Sequence, residues 1–168
     1  SSVNFVDSGG DPFTFTDAVK TIIPLQEYNM IIVCSANTIY VFEKLSGTYT
    51  LRASKNSMSG SEWRWAYMNH QIIMVNGLDN AQQIFVTDYG LPTQTVTIQD
   101  WAVTGGSLVF DWVAVLNAQV CAGYGNDLSA WYLPVGYVQG ALKQFDIGAS
   151  AGTPHKGGSI IGAFNIRR

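Results

Sequence analysis

An all-β fold of repeated four-stranded units is what this sequence predicts, and three observations predict it. A motif occurs three times, as Asn29-Met30-Ile31-Ile32-Val33-Cys34, Asn69-His70-Gln71-Ile72-Ile73-Met74-Val75 and Asn117-Ala118-Gln119-Val120-Cys121-Ala122, each an apolar strand followed by a turn and a return strand. The copies stand about 40 to 50 residues apart, the period of a four-stranded propeller blade, which must stack on a neighbour to bury its faces. No stretch has the length and spacing of a long helix, whereas short period-two alternations recur. The expected architecture is therefore a β-propeller-like array of about three antiparallel blade units, incomplete or completed by an oligomer.

The elements follow in order. Residues 1–24 read as an N-terminal arm that packs on the first repeat. Within it Asp17 suits the cap of one helical turn, while Phe13 and Phe15 alternate with threonines as in a strand, and periodicity over so few residues leaves both open. The first repeat spans 25–62, with strands over 28–34, 38–43 and 48–53, the last alternating Thr48-Tyr49-Thr50-Leu51. A polar loop over 54–61 marks a unit boundary.

The second repeat, 63–107, opens with Trp63, Trp65 and Tyr67 on one strand face, expected as a buried stripe. Strands over 70–75 and 82–87 flank the turn Asn76-Gly77-Leu78-Asp79-Asn80, rich in residues that tolerate left-handed backbone. An outer strand follows over 94–99. The third repeat, 108–158, runs through strands at 108–113, 119–122 and 128–133, a turn over 123–127, and a later segment at 142–148. An apolar run over 159–166 reads as a trailing strand, the opening of a further blade. A closed propeller needs about four blades or more, so three units leave sheet edges and faces that invite association.

Composition narrows the function classes. The 168 residues are 47% apolar and only 12% charged, enough to bury one good core. A net charge of −3, with no basic run besides Arg167-Arg168, makes direct grip on a nucleic-acid backbone unexpected. No continuous apolar stretch of about 18 residues and no basic-then-apolar N-terminus occur, so neither a membrane span nor a signal peptide is predicted. Cys34 and Cys121 fall at nearly matching places in two repeats and read as buried free thiols rather than a disulfide.

Candidate chemistry is thin. His70 and His155 are far apart, with no Cys or carboxylate cluster at ligand spacing, so no metal site is expected. There is no Gly-x-Ser-x-Gly elbow, and the glycine-rich loops lack phosphate-cradling patterns, so neither catalytic residues nor a cofactor are expected. Asp88, in Thr87-Asp88-Tyr89-Gly90 with Thr93, resembles the Asp-box turn of sialidase-like propellers, which is a folding device. Asp79, Asp127 and Asp146 are better turn residues than Ca²⁺ ligands. The five tryptophans, Trp63, Trp65, Trp101, Trp112 and Trp131, admit sugar stacking but fit core and interface packing better.

The string Asn126-Asp127-Leu128-Ser129-Ala130-Trp131-Tyr132-Leu133-Pro134-Val135-Gly136, with Gly140-Ala141-Leu142, Phe145-Asp146-Ile147-Gly148 and Lys156-Gly157-Gly158, resembles a family of tailed-bacteriophage virion proteins of the head-to-tail joining or tail-hub (neck) type. Val75-Asn76-Gly77-Leu78-Asp79-Asn80-Ala81-Gln82 is similar to the same family. The members are longer, continuing past the Lys-Gly-Gly region, so this sequence reads as a piece of such a protein or a reduced relative. The resemblance implies a non-enzymatic virion component, assembled in the host cytoplasm, whose partners are other virion proteins and copies of itself. It transfers no catalytic residues.

The expected function is thus that of a structural subunit working through protein contacts, with Trp131, Tyr132, Leu133 and Pro134 and the trailing-strand residues Ile160, Ile161 and Phe164 as the expected interface. The alternative is a carbohydrate-binding propeller, a receptor-reading adhesin. An enzyme comes third, a glycoside hydrolase being its least implausible form, which needs two carboxylates about 5 to 10 Å apart in one pocket.

Overall fold

The computed structural model describes residues 4–60, 62–88, 94–125 and 129–146. The described chain is all-β apart from one 3-10 turn, Gln26–Tyr28. Its strands are β1 (Phe5–Val6), β2 (Val19–Leu25), β3 (Met30–Ser35), β4 (Ile39–Leu45), β5 (Thr48–Lys55), β6 (Arg64–Met68), β7 (Gln71–Val75), β8 (Gln82–Thr87), β9 (Thr95–Asp100), β10 (Val103–Thr104), β11 (Trp112–Leu116), β12 (Gln119–Gly123), β13 (Ser129–Tyr132), β14 (Gly140–Ala141) and β15 (Lys143–Asp146). They make three meanders in succession: β2 to β5 with β1 added at the outer edge, β6 to β9, and β11-β12-β13-β15. A short parallel pair, β10 with β14, completes the set. Three antiparallel four-stranded sheets of this kind are blade units, and the fold is β-propeller-like.

The recurring asparagine has one conformational job. Asn29, Asn69 and Asn117 all lie in the left-handed region, at φ 53°, 49° and 49°. Asn69-His70 and Asn117-Ala118 are two-residue turns with both φ angles positive, the turn whose twist matches that of the flanking strands. Asn29 ends the 3-10 turn instead. Asparagine tolerates this backbone because its short side chain bonds locally, so the motif marks the bend that enters each blade's second strand.

Two compact units emerge, one of residues 1–63 with 86–98, the other of 64–85 with 99–168. In the first unit β3 and β4 are apolar along nearly their whole length because both faces are covered. One face carries Ile23, Ile32, Cys34, Ile39 and Val41, all essentially inaccessible. Onto the other face the segment after β1 folds back. Phe13 stacks edge-on against Tyr40 and Phe42, at 5.2 and 5.3 Å between centroids, while Phe15 meets Phe5, Tyr40 and Phe42. β1 holds this segment by pairing parallel with β5.

Here the structure differs from the sequence expectation for residues 1–24. Residues 19–24 are not arm but most of β2, so the first meander begins at Val19 and the arm ends before it. Thr21, Ile23 and Leu25 alternate inward, which stabilises the extended form, and Pro24 is tolerated because β2 is an edge strand. Asp17 caps no helix, and Phe13 and Phe15 point inward between outward threonines.

The second unit has a core of Ile73, Val75, Trp101, Phe110, Val120, Ala122, Leu133, Val138 and Leu142. Trp101 anchors it. Its indole Nε1 donates to the Val138 carbonyl at 2.7 Å, and its ring meets Phe110 edge-on, which in turn stacks on Tyr124 at 4.8 Å. A buried Trp or Tyr with its polar tip paired keeps its large apolar burial without a desolvation penalty. The expected buried stripe of Trp63, Trp65 and Tyr67 does not form. Trp63 is buried, but Trp65 is 44% exposed and Tyr67 is open as well, since β6 is an edge strand and turns Ala66 and Met68 inward instead.

Candidate functional site

The expected contact residues after β12 part company in the structure. Leu133 is fully buried in the second unit's core, with its N–H donating to the Val120 carbonyl at 3.0 Å. It is therefore a packing residue, and the expectation that it carries contacts to another chain is corrected. Trp131 packs half-buried against the same core and meets Tyr124 edge-on at 6.3 Å. Tyr132, the next residue along β13, points to the opposite face of the sheet and is half-buried, and Pro134 is exposed. Ile160, Ile161 and Phe164 lie outside the described residues, as do Asp127 and His155.

Beyond Pro134 the structure shows what sequence reading passed over. Val135 is 64% exposed and Tyr137 60% exposed, on a tight turn in which the Tyr137 N–H donates to the Pro134 carbonyl at 3.1 Å. The turn is pinned from two sides by the repeat's own bends. Asn69 Nδ2 donates to the Gly136 carbonyl at 2.8 Å, and the Gly136 N–H donates to the Ala118 carbonyl at 2.8 Å. Gly136 has φ 83°, a conformation that a Cβ disfavours. Two apolar side chains are thus held outward on a rigid support, and a rigid exposed Tyr loses little entropy when a partner covers it. The signal in the sequence was the Pro134-Val135-Gly136 turn chemistry, but turn residues alone do not reveal which side chains point outward.

The other singled-out residues are placed as follows. Asp79 and Asn76 close a local turn, with Asn76 Oδ1 accepting from the N–H groups of Leu78 and Asp79, and Asn76 Nδ2 donating to Asp79. Asp88, at φ 57°, accepts from Thr95 Oγ1 at 3.0 Å and is a turn residue. His70 sits in the Asn69 bend beside the Tyr67 hydroxyl, 3.4 Å away. Among the described residues no three His, Cys, Asp or Glu side chains gather as a metal-binding group. No helix of the described residues is long and apolar enough to cross a membrane.

Neither cysteine is in a disulfide, but they are not equivalent. The strand registers put Met30, Gln71 and Gln119 at one position of the repeat, each opposite the last residue of the preceding strand. Cys34 then corresponds to Val75 and Gly123, and Cys121 to Ile32 and Ile73. Cys34 is buried, and burial pushes its thiol from the ordinary 9.0 up to about 12. Cys121 is only half-buried, and its thiol is raised by burial as well.

One polar cluster escaped sequence reading altogether. Glu43, nearly buried, pairs with Arg52 at 3.3 Å and accepts from Gln94 Nε2 at 3.0 Å, while Arg52 also donates to the Gln94 carbonyl at 2.8 Å. The carboxylate is neutralised where it is desolvated, which makes this a structural clamp within the first unit.

No protein-family model matches the chain, and no curated protein matches it. Among solved structures it is similar to the computationally designed Ika4 protein, at 12% identity and a TM-score of 0.53, over 99% of this chain and 88% of that one. It is also similar to the β-propeller domain of Cps50 (Swd1) from Myceliophteria thermophila, at 9% identity and a TM-score of 0.49, over 77% of this chain. The chain spans 43% of that domain. At such identities a likeness concerns the fold alone.

Proposed function

We propose that this chain is a non-enzymatic structural subunit of a phage particle, joining or stabilising the head-tail or tail-hub region through protein-protein contacts. The observation that carries this reading is the turn over 134–137, which fixes Val135 and Tyr137 outward between two repeat bends. Rigid apolar side chains presented to solvent suit association with a partner surface. The resemblance of the adjoining Ser129-Ala130-Trp131-Tyr132-Leu133-Pro134-Val135-Gly136 string to virion proteins supplies the setting. Its partners are then other virion proteins and further copies of this chain, and its location is the virion.

Cross-linking mass spectrometry on the purified particle tests this. The chain should be present at fixed stoichiometry, with cross-links joining the 134–137 turn to a neighbouring virion protein. The pair Val135→Asp and Tyr137→Ser should leave folding unchanged and reduce incorporation at least tenfold. Particles that lack the chain, or that incorporate the double variant normally, overturn the proposal.

A second reading has its own support. Trp65 and Tyr67 stand exposed two residues apart on one face of β6, about 7 Å along the strand, a spacing suited to stacking on a glycan. A glycan array decides it: binding that is lost in Trp65→Ala establishes the adhesin, and silence removes it.

A further inference from the structure

The first blade departs from the repeat at its opening bend, and the departure makes a cavity. The two residues Asn69-His70 join β6 to β7, and Asn117-Ala118 join β11 to β12, whereas β2 and β3 are joined by the longer Gln26-Glu27-Tyr28-Asn29, coiled as a 3-10 turn. Gln26 and Asn29 of this bend join Pro24, Ile31, Lys44 and Tyr49 around a cavity of about 240 Å³. Glu27, the bend's charged residue, is not part of the lining.

Strand register explains the lining. Pro24 lies opposite Ile31 and Ile31 opposite Phe42, an apolar row on the face that Phe13 and Phe15 cover at Phe42. In the next row Lys44 lies opposite Tyr49, and the same registers carried one residue past Leu25 and Met30 add Gln26 and Asn29 to it. A polar row thus borders an apolar one. The bend is tied in place, since the Lys44 N–H donates to the Asn29 carbonyl at 2.6 Å, and Phe5 stacks on Tyr49 at 5.4 Å, taking one face of that ring. The second sheet has Val86 at the position of Lys44, so the cation is not a feature of the repeat.

We propose that this cavity binds an acidic sugar of one-ring size, its carboxylate on the Lys44 ammonium, its hydroxyls on the Gln26 and Asn29 amides and its C–H face on Pro24 and Ile31. Gln26, Asn29 and Lys44 are exposed, and among the described residues their side-chain polar groups have no partner. Glu43, adjacent to Lys44, points to the opposite face and is neutralised by Arg52. One unpaired ammonium suits a monoanion, and amides both donate and accept, as sugar hydroxyls require. Neighbouring groups of such a row stand about 5 Å apart, close to the width of a six-membered sugar ring. The cavity is smaller than the roughly 300 Å³ at which pockets for larger ligands begin, which limits it to one ring. A single ion pair open to solvent makes binding weak. The site goes beyond the proposed structural role and is separate from the Trp65 and Tyr67 pair on β6.

Titration of the ¹⁵N-labelled full chain with sodium glucuronate, followed by amide shifts, should give saturable changes over 26–31 and 44–49 with a dissociation constant in the millimolar range. Sodium acetate, which has the charge without the ring, and glucose, which has the ring without the charge, should each bind at least fivefold more weakly. Lys44→Gln should weaken glucuronate at least fivefold. Asn29→Gly, which keeps the left-handed backbone and removes the amide, should weaken it at least threefold, while Lys20→Gln, at an exposed lysine elsewhere on β2, should leave it unchanged. Lys44 is exposed, so its substitution should spare folding, which the ligand-free spectrum checks. No saturable shift, acetate binding as tightly as glucuronate, or an affinity indifferent to Lys44→Gln overturns the inference. Such a failure leaves the structural role standing, because that role is judged by incorporation into particles.

Discussion

The first and third sheets are the same four-stranded meander with different endings. In the first, the residues of one face are inaccessible and the other face is covered by a returning segment that brings Phe13 and Phe15 onto Tyr40 and Phe42. In the third, the face opposite the core carries Ala114, Cys121 and Tyr132, each still partly exposed. A sheet face that is not packed on another sheet exposes apolar area, and in the first sheet the chain covers such a face with its own aromatics. The difference teaches that a repeat's identity lies in its strands, whereas its capacity for association lies in what happens to cover them.

The largest expected effect tests how far the first sheet depends on its buried polar clamp. Arg52→Met leaves the Glu43 carboxylate desolvated with only Gln94 as partner and should cost about 3 to 5 kcal/mol in urea unfolding. The corresponding change in the third sheet, Lys143→Met at an exposed position, should cost under about 0.5 kcal/mol.

Phe13→Ala should come next, at about 2 to 3 kcal/mol, because a half-buried ring is lost from the cap. It should also bare the Tyr40 and Phe42 face, so sedimentation should show more association than the parent chain does. If the variant self-associates only as the parent does, the cap has no part in limiting assembly.

The two thiols give a third contrast. Cys34 is neutral in the folded chain up to about pH 12 but ionises near 9 when unfolded, so its contribution is fully present below pH 9 and declines as the pH rises toward 12. The loss should be on the order of 1 kcal/mol by pH 10, and Cys34→Val should remove that part of the pH dependence. Cys121 should react with a thiol reagent at least tenfold faster than Cys34 at pH 8.

The smallest effect concerns the Asn69 bend. Asn69→Ala should cost about 1 to 2 kcal/mol in urea unfolding, through left-handed backbone strain and through loss of the bond its side chain makes to Gly136. No measurable loss would mean that neither the strain nor the Gly136 contact matters to stability.

How much of this was legible beforehand can be judged residue by residue. The three asparagine-led strands and the Asn76-Gly77 turn were readable because bends and period-two patterns are local. The strand over 19–25 was not, because Pro24 and a short mixed pattern look like an arm until an adjacent strand supplies hydrogen bonds. Trp65 and Tyr67 were misread as core: alternation shows which residues share a face, but not whether anything lies over it. Leu133 was misassigned for the same reason in reverse.

From the order of its amino acids alone, this chain's all-β character, its repeat and the bends that begin each second strand were determined, since all of these rest on backbone preferences spanning a few residues. Tertiary structure decided the rest: that Phe13 and Phe15 shield one face of the first sheet, that Glu43 finds Arg52 and Gln94, and that Val135 and Tyr137 face outward. Those outcomes depend on which segments, distant in sequence, come to lie against one another, and solvent exposure is a property of that arrangement rather than of any local pattern.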